Sequence, residues 1–118
     1  MTHASDRSPL AGVVDAPLFI VPRVLDGLRT YRAQARFAGD PAAGPAVPLA
    51  LDELVDTLLA GIEAHPTKFW VMRQFQDTLE RVANQDAQAR ALVGDALEKL
   101  MALLGIDSSD GVLGFDRR

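Results

Sequence analysis

The sequence predicts an all-α fold, a compact bundle of about four helices followed by an ordered C-terminal turn and tail. Three observations lead to this prediction. Apolar residues recur at intervals of three and four in four segments, which is the spacing of a buried face on a helix. Residues typical of helix ends separate these segments. No segment shows the sustained alternation that a half-buried strand would show.

The first predicted helix begins at Pro22 and continues to about Ala38. Proline suits a first helical turn because its missing N–H would have no partner there. The predicted inward positions of this helix are Val24, Leu25, Leu28, Tyr31 and Ala35. The stretch 39–48 contains two glycines and three prolines, so we expect a connecting loop there.

The second and third predicted helices meet at His65-Pro66, because the residue before a proline disfavours helical geometry. The inward positions of the second helix are Leu51, Leu54, Val55, Leu58, Leu59 and Ile62. Thr67 can cap the third helix with its hydroxyl oxygen. The predicted inward positions of this helix and the turn after it are Phe69, Met72, Phe75, Leu79, Val82 and Ala83.

The fourth predicted helix, residues 87–104, has the most regular apolar stripe in the chain. Its inward positions are Ala89, Leu92, Val93, Ala96, Leu97, Leu100, Met101 and Leu104. Asp86 is a suitable N-cap, and Gly105 is the residue type that usually ends a helix. We expect Ile106 to pack back on this helix, and Leu113 and Phe115 to lie under the bundle.

Length and composition predict one folded domain. A chain of 118 residues with 48% hydrophobic and 24% charged residues can bury a single core. We interpret residues 1–17 as a flexible lead-in, with 17–21 extended against the body, and residues 18–116 as one helical domain. The apolar stretch near the start is interrupted by Asp15 and Pro17, which is not typical of a signal peptide.

Charge and cysteine content narrow the class of function. The net charge of -4 argues against nucleic-acid binding, since such binding rests on basic residues that neutralise phosphates. Without cysteine the chain has neither disulfides nor thiolate metal ligands. No apolar run is long enough to span a membrane. We therefore expect a cytoplasmic protein that does not bind membranes.

No pattern of residues indicates a catalytic, cofactor or metal site. His3 and His65 have no partner at the spacing of zinc ligands. The turn at residues 107–111 has the composition of a calcium loop, but aligning Gly111 with the required glycine places Ile106 and Arg117 where carboxylates are needed. We therefore predict no catalytic residue, no cofactor and no metal, and a protein that is not an enzyme.

Charged residues are segregated along the chain. The first helix carries Arg29, Arg32 and Arg36 on one face, whereas residues 39–66 contain five acidic residues and no lysine or arginine. Two interpretations stay open. The basic and acidic faces can pair with each other as solvated neighbours. Alternatively, Asp52, Asp56 and Glu63 can form a surface for a basic partner protein.

Trp70 lies in the polar helical row of the third predicted helix, beside Arg73. A tryptophan next to an arginine on a solvent-facing surface is typical of a binding hot spot. The alternative is burial or half-burial, because tryptophan is largely covered in most proteins and a neighbouring loop can cover the first turn of a helix.

The stretch from His65 to Asp116 resembles a family of small bacterial helical proteins known only as a domain of unknown function. The residues that carry the resemblance are Pro66, Phe69-Trp70, Asp86, Arg90, Glu98, Met101, Gly105-Ile106, Ser108-Ser109-Asp110-Gly111, Leu113 and Gly114-Phe115-Asp116. The resemblance implies a compact helical fold and no established activity, so it assigns no role to any residue.

Two functional hypotheses follow from the sequence. The first is a protein-interaction module, immunity-like or antitoxin-like, that binds a partner protein or a second copy of itself through the acidic second helix or the Trp70 face. The alternative is a small-ligand binder or enzyme with a pocket between helices. In that case the arginines at 29, 32 and 36 would hold an anion, and Glu98 or Asp77 would act inside the pocket.

Overall fold

The computed structural model describes residues 13–34, 41 and 43–107, and contains four helices within them. These are α1 (Pro22–Ala33), α2 (Ala46–Gly61), α3 (Lys68–Arg81) and α4 (Ala87–Leu104). The described residues contain no β-sheet, only one isolated antiparallel bridge between Pro17 and Thr67. The predicted all-α bundle is confirmed.

The helices form a central pair with one helix on each side. α2 and α4 contact each other, and each also contacts both of the other helices. α1 and α3 do not contact one another in the described part of the chain. α1 and α3 are therefore flanking helices that pack separately on the α2–α4 pair.

The core between the helices is apolar. Its largest fully buried side chains are Phe75, Leu28, Leu51, Leu58, Ile62, Met72, Leu97 and Leu100. Among the described residues, Thr78 is the one polar residue that is buried. Its hydroxyl donates a hydrogen bond to the carbonyl of Gln74 at 3.2 Å, so burial leaves the hydroxyl with a partner.

Two predicted inward positions of the third helix are wrong. Phe69 is 37% exposed and Ala83 is also exposed, whereas Val71 is fully buried. At roughly 100° per residue, Phe69 lies about 120° around the helix from Phe75, outside the covered face. Ala83 follows the last helical residue, Arg81, and so is not held by the helical stripe.

Two predicted helix boundaries are also corrected. α1 ends at Ala33 instead of about Ala38, and Gln34 is extended with ψ 144°. Residues 35–40 lie outside the described part of the chain. α2 begins at Ala46, so Pro48, which we predicted in the loop, lies in the first helical turn. Proline is tolerated there because the first N–H groups of a helix have no intrahelical acceptor.

The predicted caps are confirmed. The Thr67 hydroxyl oxygen accepts from the Trp70 N–H at 3.3 Å, and the Asp86 carboxylate accepts from the Ala89 N–H at 2.8 Å. Gly105 ends α4 with φ 78°, a conformation that favours glycine. The Ile106 N–H then donates to the Met101 carbonyl at 2.8 Å, and the Ile106 side chain is buried. Leu113 and Phe115 lie outside the described residues.

The chain before α1 lies against the start of α3. The Leu18 N–H donates to the Pro66 carbonyl at 2.7 Å, and the Lys68 N–H donates to the Ala16 carbonyl at 2.8 Å. Leu18 and Ile20 are half-buried against the core. The structure describes only residues 13–17 of the predicted lead-in, so its flexibility and the domain boundary at 18 remain predictions.

Candidate functional site

An open groove lies between α2 and α3 in the described structure, with a volume of about 790 Å³. Both helices contribute to its walls. The residues that line it are Glu53, Leu54, Asp56, Thr57, Gln74, Asp77, Thr78, Glu80 and Arg81. We refer to these residues as the α2–α3 groove.

The α2–α3 groove is acidic. Four of its lining residues carry carboxylates, whereas Arg81 is its single cation. Arg81 forms an ion pair with Glu53 across the two helices. Both side chains of this pair are about half exposed, so solvent screens it and we assign it little stabilisation.

Most uncharged polar groups in the groove bond within their own helix. The Thr57 hydroxyl donates to the Glu53 carbonyl at 2.9 Å, and the Gln74 amide donates to the Trp70 carbonyl at 3.2 Å. The Asp77 carboxylate is exposed and makes no hydrogen bond or ion pair with any described residue. The groove therefore presents at least one carboxylate that no cation within residues 13–34, 41 and 43–107 pairs with.

Two of the predicted acidic residues, Asp52 and Asp56, are brought together by Arg32. The Arg32 Nε donates to Asp56 Oδ1 at 2.9 Å, and its Nη1 lies 3.4 Å from Asp52 Oδ1. The hydrogen bond to Asp56 is the main reason that the pKa of Arg32 is raised. Arg32 of the basic face of α1 thus pairs with the acidic face of α2, in the manner of the first of the two interpretations of charge segregation.

Asp56 also borders the α2–α3 groove, and its side chain is 58% exposed. It therefore belongs to both the ion-paired α1–α2 surface and the open acidic groove. Asp56 can pair with Arg32 and still be available to a partner, because a carboxylate can accept more than one hydrogen bond.

The residues of the alternative hypothesis are not brought together. Arg29 forms an ion pair with Asp26 of its own helix at 3.1 Å, and its side chain is 62% exposed. Neither Arg29 nor Arg32 lines the groove, and Arg36 lies outside the described residues. Asp77 lines the groove, whereas Glu98 is an exposed residue of α4.

Trp70 is half-buried in the first turn of α3, where its ring packs on Gly61, the last residue of α2. A Cβ atom at Gly61 would lie 2.6 Å from Cζ2 and 2.9 Å from Cη2 of the Trp70 ring. The ring also stacks on His65, with centroids 5.5 Å apart and an interplanar angle of 20°. The absence of a side chain at residue 61 therefore lets the indole cover the last turn of α2.

The remaining predicted partner-binding residues lie near this end of the molecule or one turn from it. Glu63 is exposed in the turn that follows α2, two residues after Gly61. Arg73 is exposed one turn after Trp70, before the groove residues of α3 begin at Gln74. The predicted set is thus spread along the α2–α3 pair instead of forming one cluster.

The N-terminus of α3 has all of its first amides occupied. The Asp15 carboxylate accepts from the Phe69 N–H at 2.9 Å, beside the Lys68 and Trp70 bonds described above. The negative charge of Asp15 is favourable at a helix N-terminus, where the helix dipole is positive. Asp15 therefore joins the chain before α1 to the start of α3 through charge as well as hydrogen bonding.

None of the described helices combines the length and the apolar character needed to cross a bilayer. Within residues 13–34, 41 and 43–107, no three acidic, histidine or cysteine side chains are grouped so that they could hold a metal ion.

Comparison with known proteins adds a family. Residues 30–114, which are 85 of the 118 residues, match the family described as Domain of unknown function (DUF4844). The chain belongs to this family. The match covers α2, α3 and α4 entirely and begins near the end of α1, so both walls of the α2–α3 groove belong to the DUF4844 domain.

No curated protein and no solved structure matches the chain. The family match carries no activity, so the chemistry of the DUF4844 domain rests on its own residues. What these residues provide is an open, negatively charged groove beside a half-buried tryptophan. Such an arrangement can attract and hold cationic groups.

Sequence reasoning missed part of the groove. It did not include Glu53, Glu80 or Arg81 in any candidate site, and it considered Asp77 only for the alternative hypothesis. A signal was present, since Asp77 and Glu80 are three residues apart and share a helix face. The α2 wall opposite them depends on how the two helices pack, which the spacing within one helix does not specify.

Proposed function

We propose that this DUF4844 domain is a protein-interaction module that binds a basic segment of a partner protein in the α2–α3 groove. The observation that carries the proposal is the charge of the groove, in which four carboxylates face one arginine. Complementary charge on a partner increases the rate of association and disfavours acidic competitors. The proposal keeps the predicted partner-binding role of Asp56 and adds Glu53, Asp77 and Glu80.

Arg81 has a specific role in this proposal. Its ion pair with Glu53 occupies one of the four carboxylates in the free protein. An incoming lysine or arginine side chain would compete with Arg81 for Glu53, while Asp77 is available without competition from any described residue. Binding would therefore begin at Asp77 and involve Glu53 second.

A finer version of the proposal concerns the biological setting. A small acidic helical protein that occupies the basic surface of another protein would act as an immunity-like or antitoxin-like partner in the cytoplasm. Asp52, Glu63, Trp70 and Arg73 would then form the outer part of the contact, on either side of the groove. A neighbouring gene that encodes a basic, toxin-like protein would support this version.

The binding test uses a lysine- and arginine-rich peptide as the probe and nuclear magnetic resonance as the readout. We expect the amide shifts of the groove residues to change on titration, and the affinity to fall as salt is added. The variant Asp77→Asn/Glu80→Gln removes two groove charges. It should weaken binding roughly tenfold, which corresponds to about 1.4 kcal/mol.

The matched control is Asp26→Asn/Asp107→Asn, which changes the net charge equally but leaves the groove intact. If the control weakens binding as much as the groove variant, the peptide responds to overall charge and the proposal is wrong. Shift changes distributed over the whole surface would contradict it in the same way. A glutamate-rich peptide of equal length should leave all groove shifts unchanged.

A further inference from the structure

The chain before α1 has backbone groups on one edge that no residue of the described structure pairs with. At its bridge with Thr67, the segment bonds through Ala16 and Leu18 to residues 66–68. In an extended strand the N–H and C=O groups of alternate residues point to opposite edges. The groups of Pro17 and Phe19 therefore point away from α3, and Phe19 makes no hydrogen bond with any described residue.

The side chains of the same segment alternate in exposure. Leu18 and Ile20 are half-buried against the core, whereas Phe19 is 84% exposed and Val21 is 49% exposed. Phe19 is the most exposed of the large apolar residues in the described chain. An unpaired edge that also carries exposed apolar side chains is a template for pairing with another strand.

We propose that residues 17–21 pair with the same residues of a second copy of this chain, as an antiparallel two-stranded ribbon centred on Phe19. A twofold axis through a hydrogen-bonded Phe19–Phe19 pair lets each phenylalanine N–H donate to the carbonyl of the other. In this register Pro17 lies opposite Val21 of the second copy, and the Val21 N–H donates to the Pro17 carbonyl.

The second copy is chosen because the segment is complementary to itself in this register. Proline has no N–H, so it cannot donate to the Val21 carbonyl opposite it. The Val21 carbonyl does not need that donor, because it already accepts from the Val24 N–H at 2.9 Å and the Leu25 N–H at 3.5 Å. The N–H that Pro17 lacks would therefore have faced a Val21 carbonyl that is already occupied, and the twofold axis repeats this match on the other side.

The side chains fit the same register. Cross-strand partners lie on one face of a ribbon, so both Phe19 rings and the paired Pro17 and Val21 side chains would meet on the exposed face. Residues 17–21 carry no charged residue, so two copies meet without like-charge repulsion. This surface is separate from the α2–α3 groove, and the proposal does not depend on the proposed function.

The test is the oligomeric state, measured by sedimentation from micromolar to millimolar concentration. We expect the wild-type chain to dimerise, and Phe19→Asp to raise the dissociation constant at least about tenfold by placing two carboxylates opposite each other. Val14→Asp is the matched control. Val14 is an apolar residue of the same segment, 71% exposed and outside the paired residues, so its substitution should leave the dimer intact.

A crosslinking measurement keeps the test independent of the stability of these variants. The chain has no cysteine, so Phe19→Cys and Val14→Cys each introduce a single thiol. Opposed residues of a hydrogen-bonded antiparallel pair have Cα atoms about 5.5 Å apart, which is within disulfide range. Mild oxidation should crosslink Phe19→Cys much faster than Val14→Cys.

Two results would overturn the proposal. One is a wild-type chain that stays monomeric at every concentration, which would leave the edge free for a strand of another protein. The other is a dimer that Phe19→Asp does not weaken, or equal crosslinking at positions 14 and 19, which would place the contact elsewhere.

Discussion

α1 and α3 flank the same central helix pair, but they are attached by different interactions. α3 buries five of its 14 residues, and acceptors from outside the helix satisfy its first amides. α1 buries only Leu28 among its 12 residues, and its N-cap, Val21, makes no side-chain capping bond. Arg32 attaches it to α2 by a polar contact with two aspartates.

This difference predicts that equivalent positions in a bundle have unequal local stability. Burial of apolar surface is the dominant favourable term in folding, whereas exposed ion pairs contribute little. α3 should therefore unfold only together with the whole domain, whereas α1 should unfold locally at a lower free energy. The acidic groove has one wall on α3, so it lies on the firmly held side of the molecule.

The largest effect is expected at the α3 attachment. Phe75 is fully buried, and Phe75→Ala should reduce the free energy of unfolding by about 3–5 kcal/mol, because it removes apolar contacts and leaves a cavity. Urea denaturation measures this change. The control is Phe69→Ala on the same helix, which should cost clearly less because Phe69 is 37% exposed. Equal losses would contradict the assignment of the buried face.

An intermediate effect is expected where Trp70 covers α2. Gly61→Ala places a methyl group within 3 Å of the indole, and overpacking of this kind costs about 1–3 kcal/mol. The single tryptophan of the chain reports the ring displacement by its fluorescence. In a Trp70→Phe background the smaller ring removes the clash, so Gly61→Ala should be neutral or stabilising there, as helix propensity alone would favour. An equal cost in both backgrounds would be evidence against this packing.

The smallest effect is expected at the α1 attachment. Arg32→Gln should lower the melting temperature slightly at low salt and leave it unchanged at high salt, because salt screens exposed charges. Hydrogen exchange should show the α1 amides exchanging sooner than those of α3, with a larger difference in the variant. Arg29→Gln, which removes only a pair within α1, is the control. A decrease in melting temperature that is equal at low and high salt would mean that Arg32 acts through packing instead of charge.

The pH dependence of the Arg32 contact has a definite sign. The pKa of Arg32 is raised in the folded state, chiefly by its hydrogen bond to Asp56. The contribution of this arginine to stability is therefore fully present below its ordinary pKa, and is lost only as the pH rises through the raised pKa. Across neutral and moderately alkaline pH, the attachment of α1 should not change through titration of Arg32.

Much of the fold follows from local patterns in the sequence. The apolar stripes of α2 and α4 predict the buried residues well because a helix that packs on several neighbours buries a broad face. Caps such as Thr67, Asp86 and Gly105 were identifiable because their hydrogen bonds are local. Phe69 was misassigned because α3 contacts two helices, whereas α2 and α4 each contact three, and the flank of its apolar stripe stays exposed.

The candidate site was less predictable. Asp56 was identified from the acidic composition of α2, but Glu53 and Glu80 were not, since a groove requires two helices placed at a particular separation. The packing of the Trp70 ring on Gly61 could not be predicted from the sequence either. It depends on the lack of a side chain at Gly61, which is nine residues away in the chain and in contact only after the helices pack.

The sequence by itself determined the number of helices, most of their ends and the apolar character of the core, because periodicity and capping act within a few residues. Only the tertiary structure decided which charges pair and which face an open groove, and which backbone groups of residues 17–21 no described residue pairs with. These features join residues that are distant in the chain, so their geometry is set by packing between elements and not by the pattern within any one of them.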